Sequence, residues 1–253
     1  MMNLIRKVRI NNFTYLFLCL CFLCGYIKNI CIIFFICIVH EFGHVIFIKL
    51  FKYEITCIEL FPFGGFTTIN KRINTSINKD IIISIAGIFN QMILLVFLLF
   101  FKNYMNNITY NLFIQYNLTI MIFNMLPIIP LDGNNIIHLL LEKFFSYKLS
   151  NKINILLSII FFILFIIVNY IYNFDNLIII IFLLYKLIIY IRNVKYLDNR
   201  FILERYLYDF NYNKIINNSV YVDDLRRDVY HYFKVGDKYI SEKNMIKYYF
   251  DNQ

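Results

Sequence analysis

The apolar run from Ile30 to Leu50 is long enough to lie in hydrocarbon, yet it carries His40-Glu41-Phe42-Gly43-His44 near its middle. Ionisable side chains in a segment of that kind are costly unless they are paired, metal-bound or turned to a wet cavity, so the fold must supply one of those. In a helix, histidines four residues apart lie on one face, about 6 Å apart along the axis, and both imidazoles can reach a single ion. Glu41 projects beside them. This is the HExxH spacing in which two His bind zinc and the Glu acts as general base in hydrolysis. The structural alternative is a pair of satisfied core histidines with Glu41 hydrogen-bonded between helices.

Composition agrees with a bilayer setting. The 253 residues are 60% hydrophobic and 19% aromatic, with 7 Gly and 3 Pro, which is too apolar for a soluble domain. The net charge of +9 does not call for nucleic acid, because the basic residues gather at the ends of apolar runs, as the positive-inside rule requires. Cys19, Cys21, Cys24, Cys31 and Cys37 lie inside the first two runs and read as small hydrophobes, so Cys21-x-x-Cys24 is weak as a metal or redox signal. Arg6, Lys7 and Arg9 precede an apolar stretch with no small-residue cleavage site, which reads as an uncleaved first span.

Taken in order, the pattern predicts an all-α polytopic membrane protein with about six transmembrane helices, near 13–26, 30–51, 81–101, 111–126, 153–170 and 177–191. The basic N-terminus, with an even number of spans, places both ends on the cytoplasmic side of the membrane. Residues 52–80 are polar enough to leave the lipid. Glu54–Leu60 has β-type composition, and Phe61-Pro62-Phe63-Gly64-Gly65-Phe66 reads as a turn into a second short strand. The result is a small β-hairpin or sheet at the membrane surface, either a connector or an exposed edge that holds a substrate segment as an added strand. In the third span, Ala86-Gly87 permits close helix approach, while Asn90 and Gln91 need polar partners; Asn90 is read as facing the interior. The fifth and sixth spans meet at Asn173-Phe174-Asp175. Residues 193–253 form a small, charged and aromatic cytoplasmic α/β tail with a hairpin at Phe233–Ile240.

Pro127 and Pro130 cannot both sit inside one regular helix, so the backbone breaks there. Unwound backbone at membrane depth is tolerated only when it is buried in protein or lines a cavity. Asp132 lies in that break, before a helix-like stretch at Asn134–Phe145. An N-cap would explain it in a soluble protein. In a chain that owns an HExxH and needs a third zinc ligand, it is better read as that ligand. His138 is a competitor, about 120° off the Asp132 face if both are helical, and is read as structural.

With these residues in hand, His40-Glu41-Phe42-Gly43-His44, Asn124-Met125-Leu126-Pro127 and Pro130-Leu131-Asp132-Gly133 resemble the site-2 protease family of intramembrane zinc metalloproteases over about residues 1–192. Gly64-Gly65 and Ala86-Gly87 to Asn90 look like accessory motifs of that family. The layout is most like its stage IV sporulation branch, which cleaves a membrane-associated pro-sigma factor. The resemblance implies zinc held by His40, His44 and Asp132, with Glu41 as catalytic base. The chain departs from the family pattern at Asn134-Asn135, where a Gly and an Arg are frequent, and at Ile88, where a Pro is usual. The tail is too short for the pair of nucleotide-sensing repeats that the branch commonly carries. Extended substrate would lie against the hairpin at Gly64 and Gly65, and Asn124 or Asn90 would donate to the developing oxyanion or fix the substrate backbone. The implied partners are a membrane-associated protein substrate, the bilayer and a membrane regulatory protein, with no nucleic acid. Two other functions use the same ligands. One is a general protease of this family that clears anti-sigma factors or signal-peptide remnants; the other is a non-catalytic metal-binding or metal-transport protein.

Overall fold

The computed structural model describes residues 8–10, 12–23, 25–61, 64–171, 176–210, 212, 214–236 and 238–251. Arg6, Lys7, Cys24, the Pro62-Phe63 turn and the Asn173-Phe174-Asp175 turn lie outside them. The chain divides into two compact units, Met1–Lys71 with Ile82–Leu126, and Arg72–Ile81 with Pro127–Gln253.

The first unit combines a small sheet with helices. Strand β1 (Val8–Ile10) runs parallel to β2 (Glu54–Phe61), which pairs antiparallel with β3 (Gly64–Asn70). The expected hairpin is therefore present, and it gains a third strand from the N-terminus. Helices α1 (Asn12–Leu23), α2 (Ile27–Leu50), α3 (Ile77–Phe101, from Ile82 onward in this unit) and α4 (Asn107–Asn124) complete it. The α2 segment is apolar around its whole circumference, which suits a helix touching protein on one side and lipid on the other. Val45 and Ile48 of α2 pack with Ile55 and Ile58 of β2 and Ile83 of α3, which seats the sheet on the helix. At the start of α4, Asn106 Oδ1 accepts from the Ile108 N–H, an N-cap that fixes the helix start.

The second unit joins residues 72–81 to a long segment that opens with the proline break. Ile128, Ile129 and Leu131 are buried there, and the Ile129 N–H donates to Ser158 Oγ at 2.9 Å, so the unwound backbone is satisfied by protein. Then come α5 (Asp132–Phe144), α6 (Tyr147–Ile171) and α7 (Leu177–Leu207). The last of these runs through the position where the sixth span was expected to end, because its charged C-terminal third continues the helix beyond the apolar stretch. The tail is more than a hairpin: β4 (Lys214–Ser219) lies parallel to β5 (Val229–Val235), which turns through Gly236 (φ +62°) into antiparallel β6 (Lys238–Ser241), followed by α8 (Glu242–Asp251). A left-handed residue in that tight turn favours glycine. Tyr147, Phe201, Phe233 and Ile246 form its core, with Tyr147 and Phe201 stacked at 4.2 Å.

Four helices among the described residues are long and apolar enough to cross a membrane: Ile27–Leu50, Ile77–Tyr104, Tyr147–Ile171 and Leu177–Leu207. The other two expected spans fall short for physical reasons. Helix α1 has 12 residues, about 18 Å of rise against a hydrocarbon core of about 30 Å. Helix α4 has 18 residues, and its apolar character is diluted by Asn107, Asn111, Gln115, Asn117 and Asn124. Cys19, Cys31, Cys37 and Cys57 are free thiols, as hydrophobe-like cysteines should be.

The tail also holds a pH-dependent contact. His231 is buried, its Nε2 accepts the Arg226 N–H at 3.0 Å, and its Nδ1 therefore carries the proton toward Ser219 Oγ at 2.6 Å. Burial pushes this imidazole down to about 4, with Arg205 and Arg226 adding repulsion. The folded tail resists a proton that the unfolded chain accepts, so stability is complete above about pH 6.5 and is lost as pH falls toward 4. A loss on the order of 2 kcal/mol is expected across that window. Limited proteolysis of the tail at pH 7 and pH 4.5 should show it, and His231→Gln should flatten the dependence.

Candidate metal centre

Helix α2 presents His40, Glu41 and His44 on its buried side. Each imidazole is held by its Nδ1. That of His44 meets the Ile83 carbonyl at 2.7 Å, and a carbonyl only accepts, so His44 Nδ1 donates and its Nε2 carries a lone pair. That of His40 donates to Gln91 Oε1 at 3.1 Å, which leaves His40 Nε2 in the same state. The two Nε2 atoms stand 3.2 Å apart. Two imidazole nitrogens converging in one buried pocket are the kind of donor pair that suits a shared cation.

The surroundings are shaped to leave that space open. A Cβ at Gly87 would lie 2.5 Å from His40 Cε1 and 2.7 Å from His40 Nε2, and closer still to His44 Nε2. Gly87 therefore sits against the two imidazole nitrogens with bare backbone. Gly43, within the motif, lets α2 and α3 approach: a Cβ there would meet the Ala86 carbonyl and, at 2.9 Å, Asn90 Cβ. The arrangement fits a metal by its donor chemistry, since two neutral imidazoles, each oriented by an outer hydrogen bond, form the usual histidine half of a zinc site.

Glu41 is fixed from the sheet. Thr67 Oγ1 donates to Glu41 Oε2 at 2.8 Å, and a Cβ at Gly65 would lie 2.5 Å from Glu41 Cγ. Residues 65 and 67 share one face of β3 by the two-residue period of a strand, so that face is the one turned to the glutamate. The carboxylate thus has one oxygen held and the other over bare backbone.

The remaining expected residues are distributed as follows. Gly64 begins β3. The Asn90 amide donates to the Val39 carbonyl, tying α3 to α2. Asn124 is the last residue of α4 and is half-buried. Asp132 is the first residue of α5, half-buried, in the second unit. His138 lies 3.5 Å from Glu142 Oε1 on the same helix. Gln91, Thr67 and Gly87 are the site residues whose roles the sequence did not disclose. Buried Asn117 supports Gln91 by donating to its carbonyl at 3.1 Å.

A family model described as peptidase family M50 matches residues 28–108 and 102–168, and the chain belongs to that family. With four helices of membrane-spanning length and apolarity, it is an integral membrane protein. It is 29% identical over 245 residues, 94% of this chain and 85% of the relative, to stage IV sporulation protein FB of Bacillus subtilis (strain 168). Its fold resembles the site-2 protease from Methanocaldococcus jannaschii with a TM-score of 0.57 at 22% identity, covering 74% of this chain and 90% of that one.

Proposed function

We propose that the protein is an intramembrane zinc metalloendopeptidase, with His40, His44 and Asp132 as metal ligands and Glu41 as catalytic base. The observation that carries the reading is the pair of facing Nε2 atoms, 3.2 Å apart, over the bare backbone of Gly87. Asp132 is the third ligand because a catalytic zinc takes three protein donors and keeps one open position, and a carboxylate balances the charge that two neutral imidazoles do not. The matched family segment includes all three residues.

Zinc bound there supplies Lewis acidity for water activation and carbonyl polarisation. Glu41 takes a proton from the attacking water and returns it to the leaving amide nitrogen. Thr67 keeps the carboxylate in one orientation for both transfers. The scissile peptide must be extended, since a helix hides its carbonyls in hydrogen bonds; Gly64 and Gly65 on β3, the outer strand of its sheet, offer backbone for an added strand. Of the two candidate amide donors, Asn90 already serves Val39, and Asn124 is assigned to the oxyanion. Four spans with both termini cytoplasmic, and residues 193–253 as a cytoplasmic appendage, complete the proposed arrangement. Similarity to a stage IV sporulation protein supports a membrane-associated pro-sigma factor as substrate and a membrane protein as regulator.

The test is cleavage of a membrane-tethered pro-sigma substrate by the full chain in lipid nanodiscs. A zinc chelator should stop cleavage, and zinc should restore it. Cleavage indifferent to chelation would overturn the metal chemistry, and cleavage only of unrelated signal-peptide remnants would overturn the substrate.

A further inference from the structure

Arg227, in the turn that leads into β5, is 4% exposed, and its guanidinium is spent on residues outside the tail sheet. Nη1 donates to Glu142 Oε2 at 2.7 Å, Nη2 to Asp80 Oδ2 and, at 3.3 Å, to Thr75 Oγ1, and Nε to the Thr75 carbonyl at 2.9 Å. Asp80 and Glu142 are as buried as the arginine, at 3% and 2% exposure. Such a cluster adds little net stability, because desolvating three charges offsets most of their attraction, and well-packed apolar side chains would serve the fold as well. The tail core of Phe201, Phe233 and Ile246 does not include it. What a forked cation between two fixed carboxylates does supply is defined geometry.

The carboxylates belong to the two helices that matter. Glu142 lies near the C-terminal end of α5, whose first residue is Asp132, about 15 Å away along one rigid helix. Asp80 lies in the first turn of α3. We propose that Arg227 is a positioning residue for the metal centre, a clamp from the tail that sets the start of α3 and the end of α5. Through α5 it fixes where Asp132 stands. The inference rests on the reading of Asp132 as third ligand. Burial opposes the charge on Arg227, but Glu142 and Asp80 outweigh that and raise its pKa, so the clamp stays ionised.

The experiment uses the full chain in nanodiscs and compares wild type, Arg227→Lys, Arg227→Met and the triple variant Asp80→Asn/Glu142→Gln/Arg227→Met. The triple variant carries no stranded buried charge, so it keeps the comparison available if Arg227→Met alone does not fold. Zinc affinity is read by chelator competition, and kcat and KM per zinc-loaded molecule with the tethered substrate. Arg227→Met and the triple variant should bind zinc about tenfold more weakly and lose about tenfold in kcat with KM within twofold, and Arg227→Lys should fall between. Zinc affinity and kcat unchanged in any folded variant lacking the arginine, with only the melting temperature shifted, would overturn the clamp. Active Glu41→Gln, or wild-type zinc affinity in Asp132→Asn, would instead overturn the site on which it rests.

Discussion

Gly87→Ala is expected to abolish zinc binding and cleavage in a protein that still folds, although alanine is the better residue for the helix itself. The two effects have opposite signs and separate causes. Alanine is favoured over glycine in a helix interior by about 1 kcal/mol, so nothing local to α3 opposes the change. Its methyl group, however, would enter the space beside both ligand nitrogens, at 2.5 Å from His40 Cε1 and closer to His44 Nε2. The rings cannot yield without giving up their Nδ1 bonds to Gln91 and to the Ile83 carbonyl. Displacing both ligands should weaken zinc by more than about a hundredfold, since losing a single outer-shell partner already costs about 10- to 100-fold. Zinc content and thermal melting of the purified variant check the pair of outcomes. Full zinc occupancy in a folded Gly87→Ala protein would mean that the two Nε2 atoms do not face a metal.

Glu41→Gln should retain zinc and fold yet lose at least about a thousandfold in cleavage rate, in the upper range of a general base's contribution. The amide matches the carboxylate in size, keeps an oxygen to accept from Thr67 and still fits over Gly65, so the change removes proton acceptance and little else. Product release from the tethered substrate, measured beside zinc content in the same preparation, separates a dead enzyme from an empty one. Undiminished turnover in the zinc-loaded variant would remove Glu41 from its assigned role.

Local sequence carries some parts of this site and not others. His40, Glu41 and His44 are legible because helical spacing alone brings them together. The Pro127–Pro130 break is legible because proline forbids the alternative. Asn90 and Gln91 are both legible as polar residues that need partners, and Asn90 does face the interior, but nothing local says which of the two meets a histidine. In the structure Asn90 ties α3 to the α2 backbone and Gln91 holds His40. The four-residue spacing of Gly87 and Gln91, which puts both on one helical face, is the signal that separates them. Thr67 was not legible, since it reaches Glu41 across 26 positions through a strand whose register no local pattern fixes. The fold shows the same division. Long apolar helices were clear, whereas β4 pairs in parallel through a crossover and consists of Lys214-Ile215-Ile216-Asn217-Asn218-Ser219, which has little strand character. The shift from apolar to charged residues after Ile191 marks the end of lipid-compatible sequence but not the end of α7.

The central claim is that Asp132 joins His40 and His44 on one zinc ion. X-ray absorption at the zinc edge of the full-length protein, wild type beside Asp132→Ala, tests it most directly. The expected wild-type result is one zinc per chain with two imidazole nitrogens and a carboxylate oxygen at about 2.0–2.2 Å, and in Asp132→Ala the carboxylate is lost and zinc binds far more weakly. Wild-type protein that holds no stoichiometric zinc, or a zinc environment identical in the two proteins, would contradict it.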